Sequence, residues 1–297
     1  MVTQYSNEYR AISFFNKNMI EPLSYSFKTR SLFLKQTPVP DMKDVIEYDR
    51  ITDMGEAVIS YSLPGISLER DEIKTTQENI RMAYIYKGWQ LSANKWKAFE
   101  TEGIDLPLEN LNSAIRVIST KENTMLTTSW APDNTNARIN GLYASAGNSY
   151  STSKDFGTAG NAMDAVAGGL DLLYADMIEG VNFNLVLNST QYRELSVSRA
   201  STNLSREWDD VLALINQPGG PVPGRIVMSP YMTAGTGMLT PADPYGQYIE
   251  LLVAQNITNE AGRDSREPIS SPLYCKTFEK IAPHIIHANS ICTLTTI

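Results

Sequence analysis

The chain has 297 residues, enough for one large domain or two modest ones with a real core. Hydrophobic residues make up 42% and charged residues 20%, an ordinary globular balance that excludes disorder over the whole length. The net charge of -8 at pH 7 excludes a broad, tight nucleic-acid groove, because neutralising phosphates needs a basic excess.

Cys275 and Cys292 are the two cysteines, too few for a disulfide scaffold. The first residues, MVTQYSNEYRAISFF, lack a basic start followed by an apolar run, so no secretory signal is expected. No apolar stretch reaches the length of a bilayer-spanning helix, and no membrane partner is expected. These features point to a soluble protein assembled in a cytoplasm.

Residues 1–45 read as an arm. Tyr9, Ile12, Phe15 and Met19 line one face of a short helix, and Pro38 and Pro40 keep the following stretch extended. An arm of this kind buries its apolar side chains on a neighbouring subunit or on its own domain; the residues leave both open. From Ile46 to Leu91 the texture is β. Val58–Ser62 alternates, Pro64 and Gly65 turn, and Ile80–Tyr86 alternates again. Between these strands lies a polar excursion, Leu68–Asn79, of the length that tends to bind partners.

Then the period changes. Ser92 opens a helix carrying Trp96 and Phe99 up to Gly103, and Asp105 and Pro107 begin the next. There Leu108, Leu111, Ile115, Ile118 and Met125 recur at helical steps, with Glu109, Asn112, Arg116 and Lys121 on the other face. Residues 129–160 read as loop. Asn161 is expected to cap a further helix that ends at Gly180 and buries Ala162, Val166, Leu170, Leu173 and Met177. Beyond 180 strands and helices alternate: Phe183–Leu187 a strand, Ser189–Leu195 a helix, 196–206 a polar loop, Trp208–Ile215 a helix, Arg225–Met228 and Tyr248–Ala254 strands, and further strands to the end.

The catalytic inventory is thin. The segment Gly219–Arg225 has superficial phosphate-loop spacing, but two prolines remove amide donors and Ile226 stands where a hydroxyl is needed, so it reads as a turn. His284 and His287 are the only histidines, and their spacing fits no zinc site. Gly147–Ser151 lacks the second glycine of a nucleophile elbow. Asp209 with Asp210, and Glu100 with Glu102, read as solvated helix faces. No cofactor, no metal site and no catalytic residue is expected.

The order of elements resembles the Hong-Kong-97-type capsid fold shared by tailed-virus major capsid proteins and encapsulins. Gly55–Ala57 and Gln90–Ser92 are similar to the ends of that family's extended loop. Leu106–Leu108 with the stripe after it is similar to its spine helix. Ile139–Leu142 resembles the stretch that follows that helix. Asn184–Ser189 with Tyr192, Arg225–Pro230, and the run from Tyr248 through Ala288 resemble its axial domain and closing sheet. The resemblance covers roughly residues 50 to 297. It implies an α+β fold with an N-terminal arm (1–45), an extended β-loop (46–91), a peripheral domain with a long spine helix (92–180) and an axial α/β domain (181–297).

The resemblance also implies a function: a non-enzymatic major capsid protein that self-assembles as pentamers and hexamers into an icosahedral-type shell of a virion, around double-stranded DNA contacted weakly. The expected interface residues are Gly55, Tyr61, Ile66, Arg70, Lys74 and Arg81 of the extended loop. Arg199, Asn203 and Arg206 are expected near the symmetry axes, and Tyr9, Ile12 and Phe15 in the arm. Scaffold, portal and cement proteins are further implied partners; the arm is too short to be the scaffolding segment itself. Lys74 and Lys87 lie where some relatives cross-link, but read here as solvated lysines. Two alternatives remain open at this point: an encapsulin-like cellular compartment around a cargo enzyme, and a soluble α/β enzyme using carboxylates.

Overall fold

The computed structural model describes residues 29–52, 74–91, 106–131, 138–176, 178, 180–197, 206–216, 218, 220–262 and 273–297. A 3-10 turn, Arg30–Leu32, opens the described chain. Strands β1 (Gln36–Pro38), β2 (Val45–Thr52), β3 (Lys74–Arg81) and β4 (Ala83–Leu91) follow, then helix α1 (Leu106–Thr127). Short strands β5 (Ser129–Trp130), β6 (Ile139–Asn140) and β7 (Asn148–Ser151) lead to α2 (Asn161–Ala175), β8 (Phe183–Leu187), α3 (Ser189–Val197) and α4 (Glu207–Ile215). The chain closes through β9 (Ile226–Met228), β10 (Thr236–Pro241), β11 (Ile249–Gly262), β12 (Leu273–Ile285) and β13 (Cys292–Thr295).

Two larger sheets organise these elements. A four-stranded sheet runs in the order β1-β11-β12-β4, and a five-stranded sheet in the order β7-β13-β10-β8-β9. β2 and β3 form a separate two-stranded ribbon. Helices α2, α3 and α4 cover one face of the five-stranded sheet around Phe183, Leu185, Leu187, Leu239 and Leu294. Val186 and Met238, on the opposite face of the same strands, join a second core with Ile249, Leu251 and Ile281 of the four-stranded sheet and Met125 and Leu126 of α1. β8 is therefore buried on both faces, which is why its sequence is a continuous apolar run broken only by Asn184.

α1 lies against β4 and β12. Leu111, Ile118 and Met125 are buried as the helical period predicts, Ile115 is half-buried, and Asn112, Arg116 and Lys121 are exposed. The side chains of Leu108 and Glu109 lie outside the described residues. The same stripe also buries Ser119, Glu122, Asn123 and Thr127, which the pattern did not reveal.

Part of the expected arm belongs to the domain itself. Leu32 and Phe33 are 1% exposed, and β1 pairs in parallel with β11 as an edge strand, Gln36 opposite Leu251. Pro38 fits at its end because an edge needs one donor fewer. The backbone N–H of Thr29 donates to Asn123 Oδ1 at 3.1 Å, so this strap begins on α1. The rest of the arm, with Tyr9, Ile12, Phe15 and Met19, lies outside the described residues. So do the expected strand 58–62, the helix from Ser92 to Gly103, and Met177.

Other expectations are corrected. The polar excursion Leu68–Asn79 is strand from Lys74 onward, paired with β2 along its full length; a ribbon with so much solvent exposure has no apolar alternation to betray it. The run Ile80–Tyr86 is two strands in two sheets, divided at Met82, whose N–H donates to Asp44 O at 2.9 Å. Residues 129–160 contain β5, β6 and β7. Gly160, at φ 87°, precedes α2 in the place expected for Asn161. The free amides of α2 are met by Glu207 of α4, which accepts from Ala162 N at 3.0 Å and Met163 N at 3.3 Å. α2 stops at Ala175, not at Gly180. Asn188, not Ser189, caps α3, accepting from Thr190 N at 3.0 Å. The segment Gly220–Arg225 is the expected turn before a strand; a Cβ on Gly224 would stand 1.9 Å from Phe183 O, which explains the glycine.

If the strap is part of the fold, Phe33→Ala removes a fully buried ring from the second core and lowers the unfolding free energy by about 3–5 kcal/mol. Chemical denaturation of the full chain measures this; a loss within experimental error would return residues 29–45 to the status of a loose arm.

Candidate functional site

The β2–β3 ribbon is fully antiparallel, from Val45 opposite Arg81 to Thr52 opposite Lys74. An isolated two-stranded ribbon is marginal in water, so it needs cross-strand pairs and an anchored root. Tyr48 sits opposite Glu78 and its hydroxyl donates to Glu78 Oε2 at 2.5 Å. Arg50 Nη1 donates to Glu78 Oε1 at 3.1 Å, and Gln77 Nε2 to Glu47 Oε2 at 3.1 Å. Burial, then the hydrogen bond to Glu78 and its charge, push the Tyr48 phenol up to about 12, with Arg50 pulling the other way.

The root is fastened to β12. The Tyr48 ring stands 4.7 Å from the His284 ring, and His284 Nδ1 lies 2.8 Å from Glu250 Oε1 of β11. Arg50 Nη2 donates to Ile286 O. Lys280, 1% exposed, donates to Asp44 Oδ1 and Asp41 O, both at 2.7 Å, and stands 4.5 Å over the Tyr84 ring. Burial alone lowers its ammonium pKa, but hydrogen bonds and charge from Asp44 and Tyr84 outweigh it, and the net shift is upward. Met82, Leu252 and Ala282 pack below with Ile46 and Ile80 from the ribbon.

β4 forms one end of the four-stranded sheet, and no described strand pairs with its outer side. Along that free edge runs a groove of about 490 Å³, lined by Arg81, Tyr84, Tyr86, Lys121, Met125 and Trp130. Tyr84 is 52% exposed, Tyr86 68% and Trp130 49%. Lys276 Nζ sits between two rings, 5.8 Å from the Tyr86 centroid and 4.7 Å from that of Phe278. Among the described residues this nine-residue edge has no strand partner on its outer side and exposed aromatics flank it, the features of a candidate contact surface, since proteins otherwise blunt such edges with charge, proline or a cover.

The structure locates part of the expected interface set. Lys74 ends the ribbon away from its root, and Arg81, exposed, ends it at the groove. Gly55, Tyr61, Ile66 and Arg70 fall in residues 53–73, outside the described residues, as do Arg199, Asn203, Tyr9, Ile12 and Phe15. Arg206 is exposed and precedes α4 in extended conformation. Lys87 is exposed on β4. The sequence reading did not find Tyr48, Tyr84, Tyr86, Trp130 or Lys280. The signal available was Tyr84-x-Tyr86, aromatics spaced to share one face of a strand.

Chemistry around these surfaces is sparse. Among the described residues no group of three His, Cys, Asp or Glu side chains is placed to hold a metal ion. His287 packs its ring 5.9 Å from Tyr248. Cys275 and Cys292 are buried free thiols, pushed up to about 11 by burial. No described helix is long and apolar enough to cross a membrane.

The comparisons with known proteins agree with this architecture. The Linocin_M18 family, described as encapsulating protein for peroxidase, matches residues 61–265. No curated protein matches the chain. Among solved structures, the capsid of Myoviridae phage XM1 aligns with a TM-score of 0.67 at 10% identity, over 86% of this chain and 87% of that one. The capsid of a native GTA particle aligns with a TM-score of 0.64 at 14% identity, over 91% and 90%. A virus-like particle from Pyrococcus furiosus aligns with a TM-score of 0.60 at 12% identity, over 93% and 98%. The fold is the α+β fold of Hong-Kong-97-type capsid subunits.

Loss of the lysine that fastens the ribbon has a local signature. Lys280→Ala lowers the opening free energy of residues 45–52 by about 0.5–1.5 kcal/mol, the net worth of hydrogen bonds to acceptors that water can satisfy once the lysine is gone, while β8 stays protected. Native-state hydrogen exchange resolved by residue reads both; equal loss at β8 would mean that Lys280 supports the whole fold and not the ribbon.

Proposed function

The chain belongs to the family of encapsulating proteins for peroxidase, and from that premise we propose that it is a shell subunit of the major-capsid kind, not an enzyme. Many copies self-assemble, as pentamers and hexamers, into a closed icosahedral-type shell around viral double-stranded DNA in a virion. The observation that carries this reading is the match of nearly the whole chain, 86% of it over 87% of its counterpart, to the capsid of a Myoviridae phage. The four-part division into arm (1–45), extended loop (46–91), peripheral domain (92–180) and axial domain (181–297) belongs to the same proposal.

In this reading the anchored ribbon with residues 53–73 at its tip is the reaching part, carrying Gly55, Tyr61, Ile66, Arg70 and Lys74. The β4 groove of a neighbouring copy is the receiving part. A strand-like segment laid along the free edge gains main-chain hydrogen bonds there, and Tyr84, Tyr86 and Trp130 supply apolar area. Arg199, Asn203 and Arg206 face the symmetry axes, and Tyr9, Ile12 and Phe15 bury themselves on neighbouring subunits. The net charge of -8 suits a wall that does not hold packaged DNA tightly. Scaffold, portal and cement proteins are the expected partners during assembly in a host cytoplasm.

A second reading, an encapsulin-like compartment around a cargo enzyme, is favoured by the family's own description. The two readings share the shell and differ in contents: nuclease-protected DNA marks the first and a co-purifying cargo protein the second.

Negative-stain microscopy of the purified chain tests the shell. Closed particles or curved sheets are expected; a monomer at every concentration rejects both shell readings. Replacing residues 53–73 by Asn-Gly, a two-residue turn between the facing Thr52 and Lys74, leaves a folded subunit that forms no shells. Tyr86→Lys with Trp130→Glu does the same from the receiving side. Normal shells from either variant would remove the ribbon-to-groove contact from the proposal.

A further inference from the structure

Two carboxyl groups lie where none is expected. Glu122 of α1 and Glu279 of β12 are both fully buried. Between them comes Arg30 of the 3-10 turn, its Nη1 3.6 Å from Glu122 Oε1 and 3.7 Å from Glu279 Oε2. All four carboxyl oxygens lack a hydrogen-bond donor. Arg30 Nη2 donates instead to Asn256 Oδ1 of β11 at 2.8 Å. One guanidinium thus faces two acids at ion-pair distance, and no other described residue donates a hydrogen bond to them.

Such a set is stable only if its charge is reduced, because two ionised carboxylates without hydrogen bonds in a buried site repel each other and lose their hydration. Among the described residues the neighbours provide no second cation. From α1 the facing group is Glu122, from β12 Glu279, and from the strap Arg30; β11 contributes the neutral Asn256, and β4 places Ile85 opposite Glu279. Lys121 lines the β4 groove, Lys280 is turned to Asp44, and Lys87 is exposed. The titration follows the geometry. Burial pushes Glu122 up to about 8, with Arg30 pulling down. Burial, then the charge of Glu122, push Glu279 well above the carboxylate range, again against Arg30.

We propose that Glu122, Glu279 and Arg30 form a proton-dependent latch joining the strap, α1 and β12, closed while the carboxyls keep their protons and opened when alkaline solution removes them. The protons go to solvent base and no covalent bond changes. In the unfolded chain both acids ionise near their ordinary value of 4.5, while in the folded chain the value for Glu122 is about 8. Between those values the folded state binds more protons than the unfolded one. The latch's contribution is therefore complete at acid pH and is lost as pH rises through the folded value.

Thermal unfolding of the full chain at several values from roughly pH 5 to pH 9 tests this, in the wild type, in Glu122→Gln, and in Asp171→Asn, an exposed control on α2. The expected result is a midpoint that falls with pH in the wild type and the control and falls clearly less in Glu122→Gln, which overtakes the wild type at the alkaline end. Infrared spectra at neutral pH should show a protonated-carboxyl stretch that weakens in Glu122→Gln. Parallel midpoint curves for wild type and Glu122→Gln, or no such band in the wild type, overturn the proposal. If Glu122→Gln does not fold, Glu279→Gln and the wild-type band decide in the same way. These measurements read the subunit's own stability, so they succeed or fail independently of shell assembly.

Discussion

The seam between α1 and the four-stranded sheet is half apolar and half polar, and the surrounding structure is arranged around that fact. Met125 and Leu126 meet Ile281 on one part of it, while Glu122, Asn123 and Thr127 share the rest with Glu279. A helix about 33 Å long laid on bare polar groups would not stay there, because each unmet group works against burial. The strap supplies the missing partners: Thr29 meets Asn123 and Thr127, and Arg30 meets both acids. Ordering the strap also sets β1 beside β11 and leads the chain to the base of the ribbon. The position of the ribbon thus follows from the polarity of a helix face that comes later in the chain.

The five-stranded sheet solves a different problem. Its strands must bury both faces, one under α2, α3 and α4 and one against the seam. β8 meets this with Phe183, Leu185 and Leu187 on one side and Val186 on the other, and β10 with Leu239 and Met238. The two cores are therefore coupled through single strands, and a change of volume on one side is felt on the other. Glu207 adds a second link inside the helical layer, since its carboxylate serves as the missing cap of α2.

Much of this was legible in the residues, for a physical reason in each case. α1 announces itself because Leu111, Ile118 and Met125 recur at helical steps, and β8 because an unbroken apolar run has few other uses. The order of elements was enough to reveal the capsid fold. What stayed hidden has equally specific causes. Lys74–Arg81 reads as polar loop because most of its side chains face solvent. β10, TGMLTP, is masked by the glycine and proline that usually end strands. Glu122 looks like a solvated helix charge, and only Arg30 and Glu279, distant in sequence, reveal that it is buried. Of the proposed assembly surface, Lys74 and Arg81 were reached from the resemblance, whereas Tyr84, Tyr86 and Trp130 became visible only when the free edge was located.

The ribbon and the β4 edge are different surfaces of one molecule, and the ribbon's own strands leave that edge unpaired. A contact in which one meets the other is not its own mirror: an open row of subunits keeps one spare giver and one spare receiver, at its two ends, however many have already joined. Such a head-to-tail contact cannot stop at two copies unless its rotation happens to be a half turn. It either closes into a ring of fixed number or runs on without end. If the proposed ribbon-to-groove contact builds the shell, the angle at which the ribbon leaves its root, held by Lys280, Asp44 and Tyr48, sets the curvature.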